Sequence, residues 1–296
     1  MHNTVPSGVG VALITPFNHD QSIDYDGLSK LLELCIQGGV DYFVVNGTTA
    51  ENPALTIEER YALLDFVLKK NAGRLPIVFG IGGNNTKAVT QEVSDFKVEG
   101  VCAILSASPY YNKPSQDGIY AHYSEIASAT ELPIILYNVP GRTSSNISSE
   151  TTLRLANKFK NIVAIKEASG DLDQITEIIL RRPPEFKIIS GDDNLTFHML
   201  ALGCDGVISV SGQGVPEIFC KVFDEYIKSN WAASKEAHLS LFHLTNLLFK
   251  EGNPAGVKAL LELRGLCKNV VRLPLIPATD ELKGSIKSEL IALDLI

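Results

Sequence analysis

Short apolar runs recur along the first two thirds of the chain, each too short for a helix and almost uninterrupted by polar residues. They are Gly8 to Thr15, Tyr42 to Val45, Ile77 to Gly80, Cys102 to Leu105, Ile134 to Tyr137, Val163 to Lys166, Lys187 to Ser190 and Gly206 to Ser209. A half-buried strand alternates apolar and polar positions, whereas a continuous short apolar run marks a strand covered on both faces. Between the runs the period changes. Asp24 to Gln37 carries Leu28, Leu31, Leu32 and Cys35 at helical spacing and stops at Gly38-Gly39. Thr56, with Glu59 after it, predicts a capping box at the next helix. Further helices are predicted over Thr86 to Glu99, Asp117 to Thr130, Ser149 to Phe159, Asp171 to Arg182, Asn194 to Leu202 and Pro216 to Lys228. Pro216 suits a first helical turn.

A strict alternation of strand and helix demands parallel strands joined by right-handed crossovers. Eight such units fit a closed α/β architecture, the (β/α)8 TIM barrel, which typically takes ~250 residues. An open doubly wound sheet is the rival, but no GxGxxG follows the first run. From Ser229 onward the strand signal stops, and Glu236 to Phe249, Pro254 to Cys267 and Thr279 to Leu293 read as helices. The expected organisation is a catalytic barrel over 1–228 and a C-terminal helical domain of about three helices over 229–296.

Composition narrows the function classes. Apolar residues make up 45% of the 296 and charged residues 20%, which excludes a disordered or fibrous chain. The net charge of −8 gives no general attraction to nucleic acid or to an anionic membrane surface. No apolar run approaches the ~18 residues of a membrane span. Met1 to Gly10 shows no basic segment leading into an apolar one, so no signal peptide is expected. The five cysteines form no CxxC pair and are odd in number, which suits free thiols in a reducing, cytoplasmic setting.

In a closed parallel barrel the chemistry sits at the carboxyl ends of the strands. The sixth run ends in Lys166. An ammonium buried there costs several kcal/mol unless paired or neutralised, and a desolvated lysine becomes an amine nucleophile for carbonyls. The alternative is a lysine that snorkels past the strand end to water, and position leaves both open. Glu167 beside it should face the helices and read as structural. Tyr137 ends the fifth run, where a phenol can pass protons or simply pack. Thr48 and Thr49 lie in a Gly-led turn whose hydroxyl and N–H groups can hold a carboxylate. Arg142 follows Pro140-Gly141 on a loop over the mouth, where its fork suits a substrate carboxylate. None of the six histidines closes a strand, and Asp192-Asp193 lacks further ligands, so no metal site is expected and the aspartates read as helix caps. Gly212-Gln213-Gly214 could hold phosphate, but the mouth has few other basic groups.

Taken in order, Gly47-Thr48-Thr49-Ala50-Glu51, Pro109-Tyr110-Tyr111-Asn112-Lys113-Pro114, Tyr137-Asn138-Val139-Pro140-Gly141-Arg142-Thr143, Lys166-Glu167-Ala168-Ser169-Gly170, Gly191-Asp192-Asp193 and Gly206-Val207-Ile208-Ser209-Val210 carry a resemblance. The chain resembles the 4-hydroxy-tetrahydrodipicolinate (dihydrodipicolinate) synthase family, within the pyruvate-dependent class I aldolases that also include N-acetylneuraminate lyase. The resemblance runs over nearly the whole chain. The lysine and tyrosine motifs are shared across the superfamily, while Arg142 resembles the synthases rather than the sugar-acid lyases.

The resemblance implies a cofactor-free enzyme. Lys166 would form a Schiff base with pyruvate, and the derived enamine would attack L-aspartate 4-semialdehyde. Tyr137 would relay protons, with Thr49 linking it to a Tyr111 donated by a neighbouring subunit. Thr48 and Thr49 would bind the pyruvate carboxylate, Ile208 would offer its backbone carbonyl, and Arg142 would bind the semialdehyde carboxylate. The resemblance further implies a homotetramer, at least a dimer, working in lysine biosynthesis. Two departures stand out. Ala50 replaces a usual glycine, and alanine suits a positive φ poorly. The histidine and glutamate that bind feedback lysine are matched by Arg60 and Ala88, although Asn84 and Tyr110 are kept, so weak or absent lysine inhibition is expected. An aldolase acting on a sugar acid, and a non-catalytic barrel that binds a keto acid, are the alternatives.

Overall fold

The strands form where the apolar runs predict them. A computed structural model describes residues 6–296; His2 and the rest of 1–5, part of the segment read for a leader, lie outside them. The strands are β1 (Gly8–Ala12), β2 (Tyr42–Val45), β3 (Ile77–Gly80), β4 (Val101–Ala107), β5 (Ile134–Asn138), β6 (Ile162–Glu167), β7 (Lys187–Ser190) and β8 (Gly206–Ser209). They close in sequence order into a parallel barrel. Every residue of β1, β2, β3, β5 and β8 is buried, as their uninterrupted apolar pattern requires. The helices are α1 (Tyr25–Gln37), α2 (Ile57–Asn71), α3 (Thr86–Asp95), α4 (Gln116–Ser128), α5 (Pro140–Thr143), α6 (Ser149–Lys158), α7 (Leu172–Arg181), α8 (Thr196–Leu202), α9 (Pro216–Ile227), α10 (Trp231–Ser240), α11 (Phe242–Lys250), α12 (Ala255–Leu263) and α13 (Asp280–Ala292).

Side-chain caps set the helix starts. Asp24, Ser115, Ser148, Asp171 and Thr279 each accept a backbone N–H of the first turn. The Thr56–Glu59 capping box forms in both directions. Helix ends are less regular. α3 stops at Asp95 instead of running to Glu99, because Phe96 turns into extended backbone, buries its ring and stacks on Phe79 at 5.4 Å. The stretch expected as one helix over Glu236 to Phe249 is two, broken at the buried Leu241, whose N–H closes a tight turn onto His238 O. The C-terminal region therefore holds four helices after Ser229 rather than three.

Packing resolves two compact units. One spans 76–208 and takes in Gly8; it contains β3 to β7, most of β8, and the helices α3 to α8. The other joins 9–75 to 209–296 and contains most of β1, all of β2, and α1, α2 and α9 to α13. In the second unit, Gly10 of β1 pairs in register with Tyr42 of β2, and a Cβ on Gly10 would lie 2.2 Å from the Tyr42 ring. That glycine makes room for the aromatic residue facing it.

Candidate active site

Lys166 and Tyr137 meet at the carboxyl ends of neighbouring strands. They are register partners in the β5/β6 ladder, so their side chains share a face. Lys166 is 5% exposed, and its Nζ lies 4.3 Å from the centroid of the Tyr137 ring. No carboxylate among the described residues forms an ion pair with it. The contact is of the cation–π type, an amine over an aromatic face rather than an ion pair. The snorkelling alternative does not apply, since the amine stays inside. Gly191, just after β7, makes this possible: a Cβ there would stand 2.7 Å from Ala168 Cβ and 3.0 Å from Lys166 Cε. Its role escaped the sequence reading because it is a matter of three-dimensional clearance.

The next register pair, Asn138 and Glu167, points to the opposite face. Glu167 is fully buried and takes hydrogen bonds from Asn138, Ser169 and Gln174. Arg142 lies on α5, an unpredicted single turn opened by Pro140, and is exposed. Its guanidinium makes no hydrogen bond or ion pair among the described residues, so its fork is available to a ligand. Ile208 is buried on β8. Tyr111 is 85% exposed and sits at φ +73° in the loop after β4. Within its own unit, the chain brings Tyr137 and Lys166 together but leaves Tyr111 standing in solvent.

The Thr48-Thr49 turn belongs to the second unit, just past β2. It is a 3-10 turn over Thr48–Ala50, and the left-handed residue is Glu51, at φ +57°. Ala50 therefore meets no positive φ, which explains why glycine is dispensable there. Thr49 is 2% exposed, and Asn253 Nδ2 donates to its Oγ1 at 2.9 Å. With that lone pair occupied, the Thr49 hydroxyl proton is free to be donated elsewhere. Below the turn, the Glu51 carboxylate pairs with Lys258 and accepts the Arg272 N–H at 2.8 Å. Lys258 also donates to Val270 O and lies 4.2 Å from the Phe17 ring centroid. A lysine inside the apolar run of α12 was the available sequence signal for this support, and the sequence reading passed over it.

The remaining candidates take ordinary roles. Asp192 caps the turn before α8 by accepting the Asn194 N–H, and burial pushes its carboxyl up. All five cysteines are free. Burial pushes Cys102 up to about 11 and Cys204, Cys220 and Cys267 up to about 12, so none supplies a thiolate. Among the described residues no cluster of three or more His, Cys, Asp or Glu could hold a metal ion, and no helix is long and apolar enough to cross a membrane.

The chain is similar to known proteins over nearly its whole length. The dihydrodipicolinate synthetase family model matches residues 5–293. The 4-hydroxy-tetrahydrodipicolinate synthase of Parabacteroides distasonis is 50% identical over 270 residues, 91% of each chain. The crystal structure of dihydrodipicolinate synthase from Thermotoga maritima superposes with a TM-score of 0.96 at 38% identity, over 100% of both chains. The enzyme from Cyanidioschyzon merolae, solved with lysine bound, gives 0.94 at 35% identity over 98% of this chain and 99% of that one. With barrel and C-terminal helices both covered, the chain belongs to the dihydrodipicolinate synthetase family.

Proposed function

We propose that this chain is a 4-hydroxy-tetrahydrodipicolinate synthase: it condenses pyruvate, held as a Schiff base, with L-aspartate 4-semialdehyde and closes the ring. This is the first step of the diaminopimelate branch of lysine biosynthesis. The observation that carries the reading is the Lys166 amine, buried at the end of β6 with the Tyr137 ring at 4.3 Å. A lysine needs a water-poor pocket and a nearby proton carrier to form an imine at neutral pH, and the burial of Lys166 and the nearness of Tyr137 support that reading.

The chemistry then follows from the groups present. The Lys166 amine adds to the keto carbon of pyruvate, and the carbinolamine loses water as Tyr137 passes a proton to the departing oxygen. The protonated imine acidifies the methyl group, and loss of one methyl proton gives the enamine. The enamine carbon bonds to the aldehyde carbon of the semialdehyde, whose oxygen takes a proton and becomes the ring hydroxyl. The amine of the same substrate then adds to the imine carbon and expels Lys166, which regenerates the enzyme. The imine itself is the electron sink, so neither metal nor organic cofactor is required. Thr48 and Thr49 hold the pyruvate carboxylate, Ile208 offers its backbone carbonyl, and Arg142 takes the carboxylate of the semialdehyde. Thr49 carries protons between Tyr137 and Tyr111, a role favoured by the Asn253 bond that leaves its proton free.

A cytoplasmic homotetramer, with a dimer as the least complete unit, fits this reading, since Tyr111 stands 85% exposed in the single chain. The first test is intact-mass analysis after pyruvate and borohydride, followed by peptide mapping. A reduced pyruvyl group on Lys166 is expected, together with turnover when the semialdehyde is added. Folded protein that acquires no adduct would remove the mechanism and favour a barrel that merely binds a keto acid.

A further inference from the structure

Glu167 is a carboxylate in an unusual setting. It is 0% exposed, it follows Lys166 directly, and no cation among the described residues pairs with it. Neutral donors surround it instead. Asn138 Nδ2 donates to both oxygens, at 3.0 and 3.1 Å, the Ser169 N–H donates at 2.9 Å, and Gln174 Nε2 donates at 3.0 Å. Burial pushes its pKa up, and the bonds from Asn138, Ser169 and Gln174 pull it back. The donors form a closed ring. Asn138 Nδ2 also donates to Asn146 Oδ1 at 2.8 Å, and Asn146 Nδ2 donates to Gln174 Oε1 at 2.8 Å. Asn138 Oδ1 accepts the Ile147 N–H at 2.9 Å. The ring thus ties together the end of β5, the end of β6, the segment after α5 and the first turn of α7.

A buried carboxylate without a cation costs several kcal/mol relative to an apolar side chain, so simple packing does not account for it. What it supplies is direction. The β5/β6 ladder is irregular between Ile134 and Ile135, so pairing at the strand starts does not by itself fix the register at their ends. A slip of one residue would turn Tyr137 to the wrong face. The Asn138–Glu167 bond is the side-chain contact of the register pair immediately after Tyr137 and Lys166.

We propose that Glu167 and Asn138 are positioning residues: their bond on the outer face of β5 and β6 holds the Tyr137 ring over the Lys166 amine and anchors the exit of the segment that carries Arg142. The proposal rests on the reading of Lys166 as the Schiff-base lysine. It acts through donor and acceptor polarity, which makes it separable from bulk stability. In Glu167→Gln an amide N–H faces the Asn138 amide N–H or gives up the Ser169 or Gln174 bond. In Asn138→Asp two buried carboxylates face each other. In the double variant the polarity is reversed and complementary again: Asp at 138 accepts, Gln at 167 donates, and a single carboxylate remains.

The experiment follows the rate at which pyruvate and borohydride fix an adduct on Lys166, per folded molecule, beside the melting temperature. Each single variant is expected to slow trapping on the order of 10- to 100-fold, the range a misplacement of about 1 Å produces. The double variant is expected to return most of that loss. Single variants that melt earlier but trap pyruvate at the wild-type rate would overturn the proposal, as would a folded double variant no faster than the singles. If these single variants do not accumulate as folded protein, Asn138→Ala decides, since it removes the donor to both Glu167 oxygens without adding a second carboxylate. Slower trapping supports the proposal and an unchanged rate overturns it. Wild-type protein that forms no adduct at all would instead remove the Schiff-base reading, and the proposal with it.

Discussion

Arg142 carries the choice of aldehyde in the proposed reaction. It is exposed on α5, unpaired among the described residues, and planar enough to meet a carboxylate with two parallel bonds. Replacing it by alanine is expected to lower kcat/KM for the semialdehyde on the order of 100-fold, the equivalent of about 2–3 kcal/mol from a charge-assisted pair. Trapping of pyruvate on Lys166 is expected to stay close to wild type, because that step needs no second carboxylate. Equal damage to both steps would assign Arg142 to the fold of its loop instead. Single residues were legible in the sequence to very different degrees. Lys166 stood out because an ionisable group closing an apolar strand contradicts its surroundings. Tyr137 did not, since a tyrosine at a strand end packs as readily as it reacts, and only the fold shows Lys166 Nζ 4.3 Å from its ring centroid. The doubt over Ala50 needed backbone angles to resolve, because the left-handed residue is one position later, at Glu51.

Among the elements, α12 is held by more than its apolar residues. Its Lys258 and the Glu51 carboxylate are 0% and 1% exposed, and burial pulls the Lys258 amine down while Glu51 pushes it up. Lys258→Met would leave Glu51 buried with its charge uncompensated, and a loss of about 3–5 kcal/mol is expected in denaturant unfolding. A midpoint unchanged from wild type would mean that water or Arg272 takes over the pairing. α4 carries an acid-sensitive group. Burial pushes the His122 imidazole from 6.5 down to about 4; Thr86 Oγ1 meets its Nδ1 at 2.9 Å, and Nε2 has no partner among the described residues. The unfolded chain binds this proton at a higher pH than the folded one, so stability is complete above about 6.5 and declines as the pH falls toward 4. The loss across that window is expected to reach roughly 3 kcal/mol. His122→Asn should flatten this acid limb, and an identical limb in the variant would place the titration elsewhere. Strand positions were legible to within three residues at each end, because burial on both faces leaves a continuous signal. Helix ends were not: the early stop of α3 depends on Phe96 reaching Phe79, and the break between α10 and α11 on a buried Leu241. Both are decided by packing partners distant in the chain.

At the scale of the whole molecule, the expected absence of lysine regulation and the proposed assembly can each be tested. The resemblance assigns Arg60 and Ala88 to the places where lysine-sensitive enzymes hold the effector. Arg60 Nη2 donates to Asn52 O at 3.2 Å, a cation where lysine would bring another, and Ala88 on α3 has no carboxylate to offer. Inhibition by lysine is therefore expected to be absent up to concentrations of about 1 mM, an affinity near 4 kcal/mol, and a steady-state titration with lysine reaching half inhibition well below that would reverse the argument. The proposed assembly can be tested at Tyr111. Its aromatic ring is 85% exposed and its backbone sits at φ +73°, a left-handed conformation uncommon for a bulky residue. If it completes the proton relay of a neighbour, Lys166→Ala and Tyr111→Phe should each be nearly inactive alone, the first for want of the nucleophile and the second for want of the phenol. Refolded together, they form mixed oligomers in which one site has an intact Lys166 from the second variant and an intact Tyr111 from the first. Activity should return in the mixture in proportion to the mixed species, up to about the share that random pairing allows, and should fall with dilution as subunits part. A relay built within each chain predicts the opposite: every site in the mixture lacks one of the two groups, and activity stays at the level of the separate variants however the subunits combine.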